Sequence, residues 1–254
     1  MSLAMPHRCL GLKKPVLDSR TLRLAKYVLT LPAPPNRVNW LVTRQSPWPM
    51  YANDSIGDCT CAAAGHCMID WTDDSKLFVE PTVDQIIQAY SDVTGYDRNT
   101  GANDAGAKEL DVLKYWSRTG IAGRKIGAFV AIDPKDIVRV KQAIWLFGGV
   151  YTGFALPQSA QNQEIWDSAS FWRRSSWPWS WGGHALHVGA YNDQGHFTAI
   201  TWAKEKLITE AFWKRYCIEC WAVLSPDWLN PYSGVAVNGF DLATLTRDLK
   251  EVQR

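Results

Sequence analysis

Asn53-Asp54-Ser55-Ile56-Gly57-Asp58-Cys59-Thr60-Cys61-Ala62-Ala63-Ala64-Gly65-His66-Cys67-Met68 is the stretch on which the reading of the chain turns. Gly57 and Asp58 suit a tight turn followed by a helix N-cap, and the alanine run after them is the best helix former available. With Asp58 as N-cap, Cys59 is the first helical residue. The unpaired N–H groups and the dipole at that end of a helix favour an anion, so a thiol there loses its proton more easily and becomes a nucleophile. Cys61 is turned about 200° from Cys59, at about 100° per residue, and is expected to face the core. His66 shares the face of Cys59 but lies roughly 10 Å along the axis, beyond hydrogen-bond reach, so a base has to come from elsewhere. Core filler is the competing reading for each of these thiols, because free cysteine is among the most buried residue types.

Trp181-Gly182-Gly183-His184-Ala185-Leu186-His187-Val188-Gly189-Ala190-Tyr191 is the second informative stretch. Its two glycines allow close backbone approach, and the alternation after them predicts a strand that starts at His184, at the sheet's edge and facing a cleft. His187 is expected on the other side of that strand as a satisfied core histidine, and His196 in a solvated turn. The chain has 14 tryptophans. Five of them crowd into residues 166–181, a segment expected either to wall the cleft beside His184 or to serve as core packing plus an exposed aromatic loop.

At 254 residues the chain can form one sizeable core or two lobes sharing a cleft. A net charge of +2 with scattered Lys and Arg does not suggest nucleic acid, and no apolar run is long enough to span a membrane. The N-terminus is too polar for a secretory signal, which makes the cytoplasm the default compartment, and the six cysteines read as thiols. Cys59-x-Cys61 with Cys217-x-x-Cys220 could hold structural zinc, although a helix would put the first two on opposite faces.

Residues 1–35 read as an N-terminal arm, including 17–26, followed by a proline-rich connector. Residues 36–254 read as a single domain with a helical lobe at about 50–122, a β lobe at about 123–226 and a C-terminal tail at 227–254. Helices are expected after Asp58, over 81–90 with Thr82 as cap, over 107–120, over 133–144 opened by Asp133, and after Thr209. Strands are expected at 38–42, 126–132, 149–155, 184–191, 196–202 and 221–224, with Cys217 and Cys220 at the end of the last helix. The pattern is α+β.

In order along the chain, these stretches resemble the papain-like cysteine peptidases. Val38-Asn39-Trp40 is similar to the family's Val-Asp-Trp. Asn53 stands six residues before Cys59, where the family has an oxyanion-hole Gln, and Gly57-Asp58 matches the Gly-Ser before its nucleophile. His184 to Tyr191 resembles its histidine strand, Ile200-Thr201-Trp202 its Asn-Ser-Trp, and Trp221-Ala222-Val223-Leu224 its final Gly-Tyr-Ile strand. More narrowly, Tyr51-Ala52-Asn53-Asp54-x-x-Gly57-Asp58-Cys59 resembles a set of bacterial and phage papain-fold proteins. The resemblance implies a two-lobe fold and cofactor-free acyl transfer on a peptide or amide substrate. Cys59 would be the nucleophile and His184 the base, with Asn53 and the Cys59 N–H holding the oxyanion. Gly57, Gly183, Trp181 and Trp202 would line the substrate cleft. The imidazole-orienting Asn has no clear counterpart: Thr201 is the nearest candidate and Ile200 an equally close position. Asn53 is one methylene shorter than Gln, and no long propeptide is expected. A papain-fold binding protein with little or no activity is the rival implied by these departures, and a zinc-thiolate protein is a further one.

Overall fold

The structure is a computed structural model that describes residues 8–16, 18, 21, 32–168, 172–229 and 235–238. Most of the expected arm at 17–26 and of the tail at 227–254 lies outside the described residues. A short strand β1 (Val38–Asn39) leads into a 3-10 turn over Leu41–Thr43, so the strand expected at 38–42 ends early. Helix α1 (Cys59–Asp74) follows; almost all its residues are buried, which suits its alanine-rich, apolar-all-round sequence. Asp58 stands at its N-cap position but makes no side-chain capping bond; only its carbonyl serves the helix, accepting from Cys61 and Ala62.

Helix α2 (Val83–Thr94) opens on a full capping box between Thr82 and Gln85 and closes at the left-handed Gly95. Helix α3 (Glu109–Arg118) completes the group around α1. After strand β2 (Ala128–Ala131) comes α4 (Ile137–Phe147), which begins later than expected. Asp133 spends its carboxylate on the Lys135 N–H in a preceding turn, and Asp136 caps the helix by accepting from Arg139.

Strands β3 (Val150–Leu156), β4 (Gly182–Tyr191), β5 (Phe197–Thr201) and β6 (Lys204–Ile208) lead to helix α5 (Glu210–Tyr216), capped by Thr209, and to β7 (Cys217–Leu224). The sheet order is β2-β7-β3-β4-β5-β6, with β1 added on β4, and every pairing is antiparallel. Three expectations change here. His184 is the third residue of β4 rather than its first. Cys217 and Cys220 lie in a strand, not at a helix end. The strand β6 was unforeseen, because the residues that turn into it, Trp202 and Ala203, hold positive φ without a glycine.

The core runs from α1 into the sheet, and the tryptophans have a role in it. The C-terminal carbonyls of a helix lack partners within it. In α4 those of Ile144 and Leu146, with that of Gly148 just beyond, accept indole N–H groups from Trp40, Trp228 and Trp71 at 2.9 Å each. No helix among the described residues is long and apolar enough to cross a membrane.

Candidate active site

Helix α1 begins at Cys59, and strand β4 passes its end, so the two stretches singled out in the sequence meet. Cys59, His184, Thr201, Asn53 and Trp202 line one cavity of about 10 Å³, roughly the room one water molecule needs. His184 Nε2 lies 2.7 Å from Thr201 Oγ1. With the ring proton on Nε2 donating to that hydroxyl, Nδ1 is left as a bare acceptor, and it has no hydrogen-bond partner. The Trp202 ring stacks on the imidazole at 4.0 Å and 8°, and Trp181 stacks on Trp202 at 5.4 Å, behind the imidazole rather than beside it. The backbone therefore selects Thr201, not Ile200, as the group beside the histidine.

Cys59 Sγ accepts the Ala185 N–H at 3.5 Å, and the Gly11 N–H also favours its thiolate. Both the cysteine and the histidine are 1% exposed. Burial pushes the Cys59 thiol up to about 12, with those two N–H groups pulling the other way. Burial, then the charges of His66 and Arg8, push His184 down to about 3. In this closed form the pair is an uncharged thiol and an uncharged imidazole, not the thiolate that the helix end alone would favour.

What closes the site is the chain's own N-terminal segment, which sequence reasoning did not place there. Residues 8–13 run through the cleft as an extended strap. Cys9 N–H donates to the Asn53 carbonyl (3.0 Å) and Leu12 N–H to that of Gly183 (3.0 Å). The Gly11 carbonyl accepts from Ala107 (2.8 Å), whose own carbonyl accepts from Lys13 (2.9 Å) in a parallel bridge. Gly11 passes so close that a Cβ on it would overlap the Gly57 carbonyl, and one on Gly106 or Gly183 would overlap the strap backbone. Arg8 lies over the Trp202 ring at 5.2 Å.

The walls are held in place by groups that the sequence did not single out. Gly57 N–H donates to Asp104 Oδ1 (2.9 Å), Tyr90 O–H to the same oxygen (2.7 Å), and Gly106 N–H to the Tyr90 hydroxyl (2.9 Å), which fixes the spacing of Gly57 and Gly106. Asn53 spends an amide N–H on Ile56 O at 3.3 Å. His66 reaches the cavity wall but gives Nε2 to Pro49 O at 2.8 Å. Trp166 is buried, packed on Phe212, while Trp172 and Trp177 face solvent. His196 is half-buried in its turn rather than solvated.

A second cysteine–histidine–carboxylate chain runs deeper. Cys67 Sγ lies 3.2 Å from His187 Nδ1, and His187 Nε2 lies 2.6 Å from Asp70 Oδ2. All three side chains are sealed in the core, where no substrate arrives. Among the described residues no three His, Cys, Asp or Glu side chains converge as a metal site would require.

No protein-family model matches the sequence, and no curated protein matches it. The fold is similar to that of solved structures. With xylellain, a cysteine protease from Xylella fastidiosa, identity is 14% over 89% of this chain and 99% of that one, with a TM-score of 0.66. With proCathepsin B S9 from Trypanosoma congolense it is 10% over 86% and 87%, TM-score 0.59. With digestive procathepsin L 3 of the Tenebrio molitor larval midgut it is 10% over 86% and 76%, TM-score 0.58. At such identities the likeness establishes the fold, which is papain-like, and not the activity.

Proposed function

We propose that this papain-fold chain is a cysteine peptidase or amidase whose own residues 8–13 hold it closed. The supporting observation is the placement of His184: one ring nitrogen on Thr201, the other bare, on the cavity that Cys59 lines at a helix N-terminus. Once the strap leaves, the Cys59 proton passes to His184 Nδ1 and the sulfur attacks a carbonyl carbon. The Cys59 N–H and the remaining Asn53 amide N–H stabilise the oxyanion. His184 returns its proton to the departing amine, and the acyl group stays on sulfur as a thioester. Water, deprotonated by His184, then releases the acid and restores the thiol.

One observation favours the rival reading of an inactive binding protein: Asn53 already donates to Ile56, and its amide also lies beside the Asp58 carboxyl, which competes for the other hydrogen. Turnover separates the two. Gly11→Val puts a side chain where the Gly57 carbonyl stands and should expel the strap. The full-length Gly11→Val chain is expected to hydrolyse members of a quenched-fluorescent peptide library, and to lose this with Cys59→Ala or His184→Ala. Thr201→Val should retain about a tenth of the rate, the worth of one hydrogen bond of roughly 1.4 kcal/mol. Absence of hydrolysis from a folded Gly11→Val chain contradicts the enzyme reading.

A further inference from the structure

Leu12 sits where the strap crosses β3. Its δ-methyl group lies over Gly153, so close that a Cβ there would clash, and Glu109 Oε1 faces the same point. Glu219 stands opposite Gly153 on β7. We propose that the pocket now plugged by Leu12 is a specificity subsite for a lysine or arginine side chain, received by Glu109 and Glu219. The inference deepens the peptidase reading and rests on it for one point, that the cleft takes an extended peptide.

Glu109 is 0% exposed, and neither of its oxygens makes a hydrogen bond of good geometry; Glu219 Oε1 is in the same position. The Trp221 indole lies beside both carboxyls without a well-aligned bond. Burying carboxyl groups without partners is costly, and a leucine offsets none of that cost. A cation entering between them supplies charge-assisted hydrogen bonds to both. Burial, and then the charge of Glu219, hold Glu109 well above the ordinary carboxylate range, and burial lifts Glu219 to about 7, so Glu109 keeps its proton until a cation arrives.

Gly153 as the floor, with no side chain of its own, lets the side chain at position 12 come down beside Glu109 Oε1. Beyond Glu219 and Trp221 the subsite adjoins a groove of about 540 Å³, whose described lining includes Asp133 and Asp136 and, as its one cation, Arg139. The occupant that the cleft already holds is itself basic, with Arg8, Lys13 and Lys14 around Leu12.

The test places the cation in the strap itself. In the full-length chain, Leu12→Lys should slow iodoacetamide alkylation of Cys59 at pH 9 by about tenfold relative to the parent, and adding Glu109→Gln with Glu219→Gln should abolish the slowing. Alkylation as fast as in the parent or faster, or slowing that survives the glutamine replacements, overturns the proposal. Should Leu12→Lys fail to fold, the Gly11→Val chain is challenged with acetyl-Arg-Ser-Leu-Gly-Xaa-Lys-amide peptides. Xaa as Lys is expected to protect Cys59 at about tenfold lower concentration than Xaa as Leu. Equal or weaker protection, or none by either peptide, overturns the subsite. Both readouts count access to the thiol and are repeated in His184→Ala, so they stand or fall separately from turnover.

Discussion

Cys59 and Glu109 are both kept uncharged by burial; at Cys59 two backbone N–H groups oppose it without reversing it, and Glu109 has no well-aligned hydrogen bond. For Glu109 this has a consequence for stability. An unfolded glutamate titrates near 4.5, whereas the folded one keeps its proton well above that value, so folding takes up a proton at neutral pH. A raised carboxyl pKa contributes stability that is complete below the unfolded value and lost as pH climbs through the window above it. Glu109→Gln removes that loss. The substitution should leave urea stability unchanged at pH 4 and raise it progressively above pH 5, by up to about 1.4 kcal/mol per pH unit. An offset that is the same at pH 4, 6 and 8 would show that Glu109 is not held protonated.

The contact between α1 and β4 sets how Cys59 meets His184, since one element carries the cysteine and the other the histidine and Ala185. His187 pins the same two elements further along, through Cys67 and Asp70. Asp70→Ala strands a buried imidazole nitrogen and is expected to cost roughly 3 kcal/mol by urea denaturation, with less than additive loss when His187→Ala is combined with it. Full additivity would mean that the pair is not coupled. Elements with a local signature were legible in the sequence: the Thr82 cap, the Thr209 cap and the close backbone approach that the glycines before His184 allow. Where the signal was absent or shared, the reading slipped. Asp133 and Asp136 both look like caps, and only the turn through Lys135 decides between them. Thr201 and Ile200 are adjacent, and only the strand's facing selects the hydroxyl.

Across the whole molecule, the feature that the sequence conceals is the closure. Gly11 and Leu12 bond to Ala107 and Gly183, partners far along the chain, and such pairings leave no periodicity or cap to read. The strap bonds to the glycine-walled cleft through backbone groups on both sides, over a site where burial sets the thiol up and the imidazole down. In the proposed function, latency and catalysis are two states of this one site. The pH dependence of Cys59 alkylation, followed by mass spectrometry in the parent, in Gly11→Val and in Gly11→Val with His184→Ala, tests that most directly. The parent is expected to be slow at every pH up to 9, the Gly11→Val chain to react quickly below pH 7, and that fast reaction to be lost with His184→Ala. A Gly11→Val chain whose alkylation rises only near the free-thiol value of about 8.5, and is indifferent to His184, would contradict it.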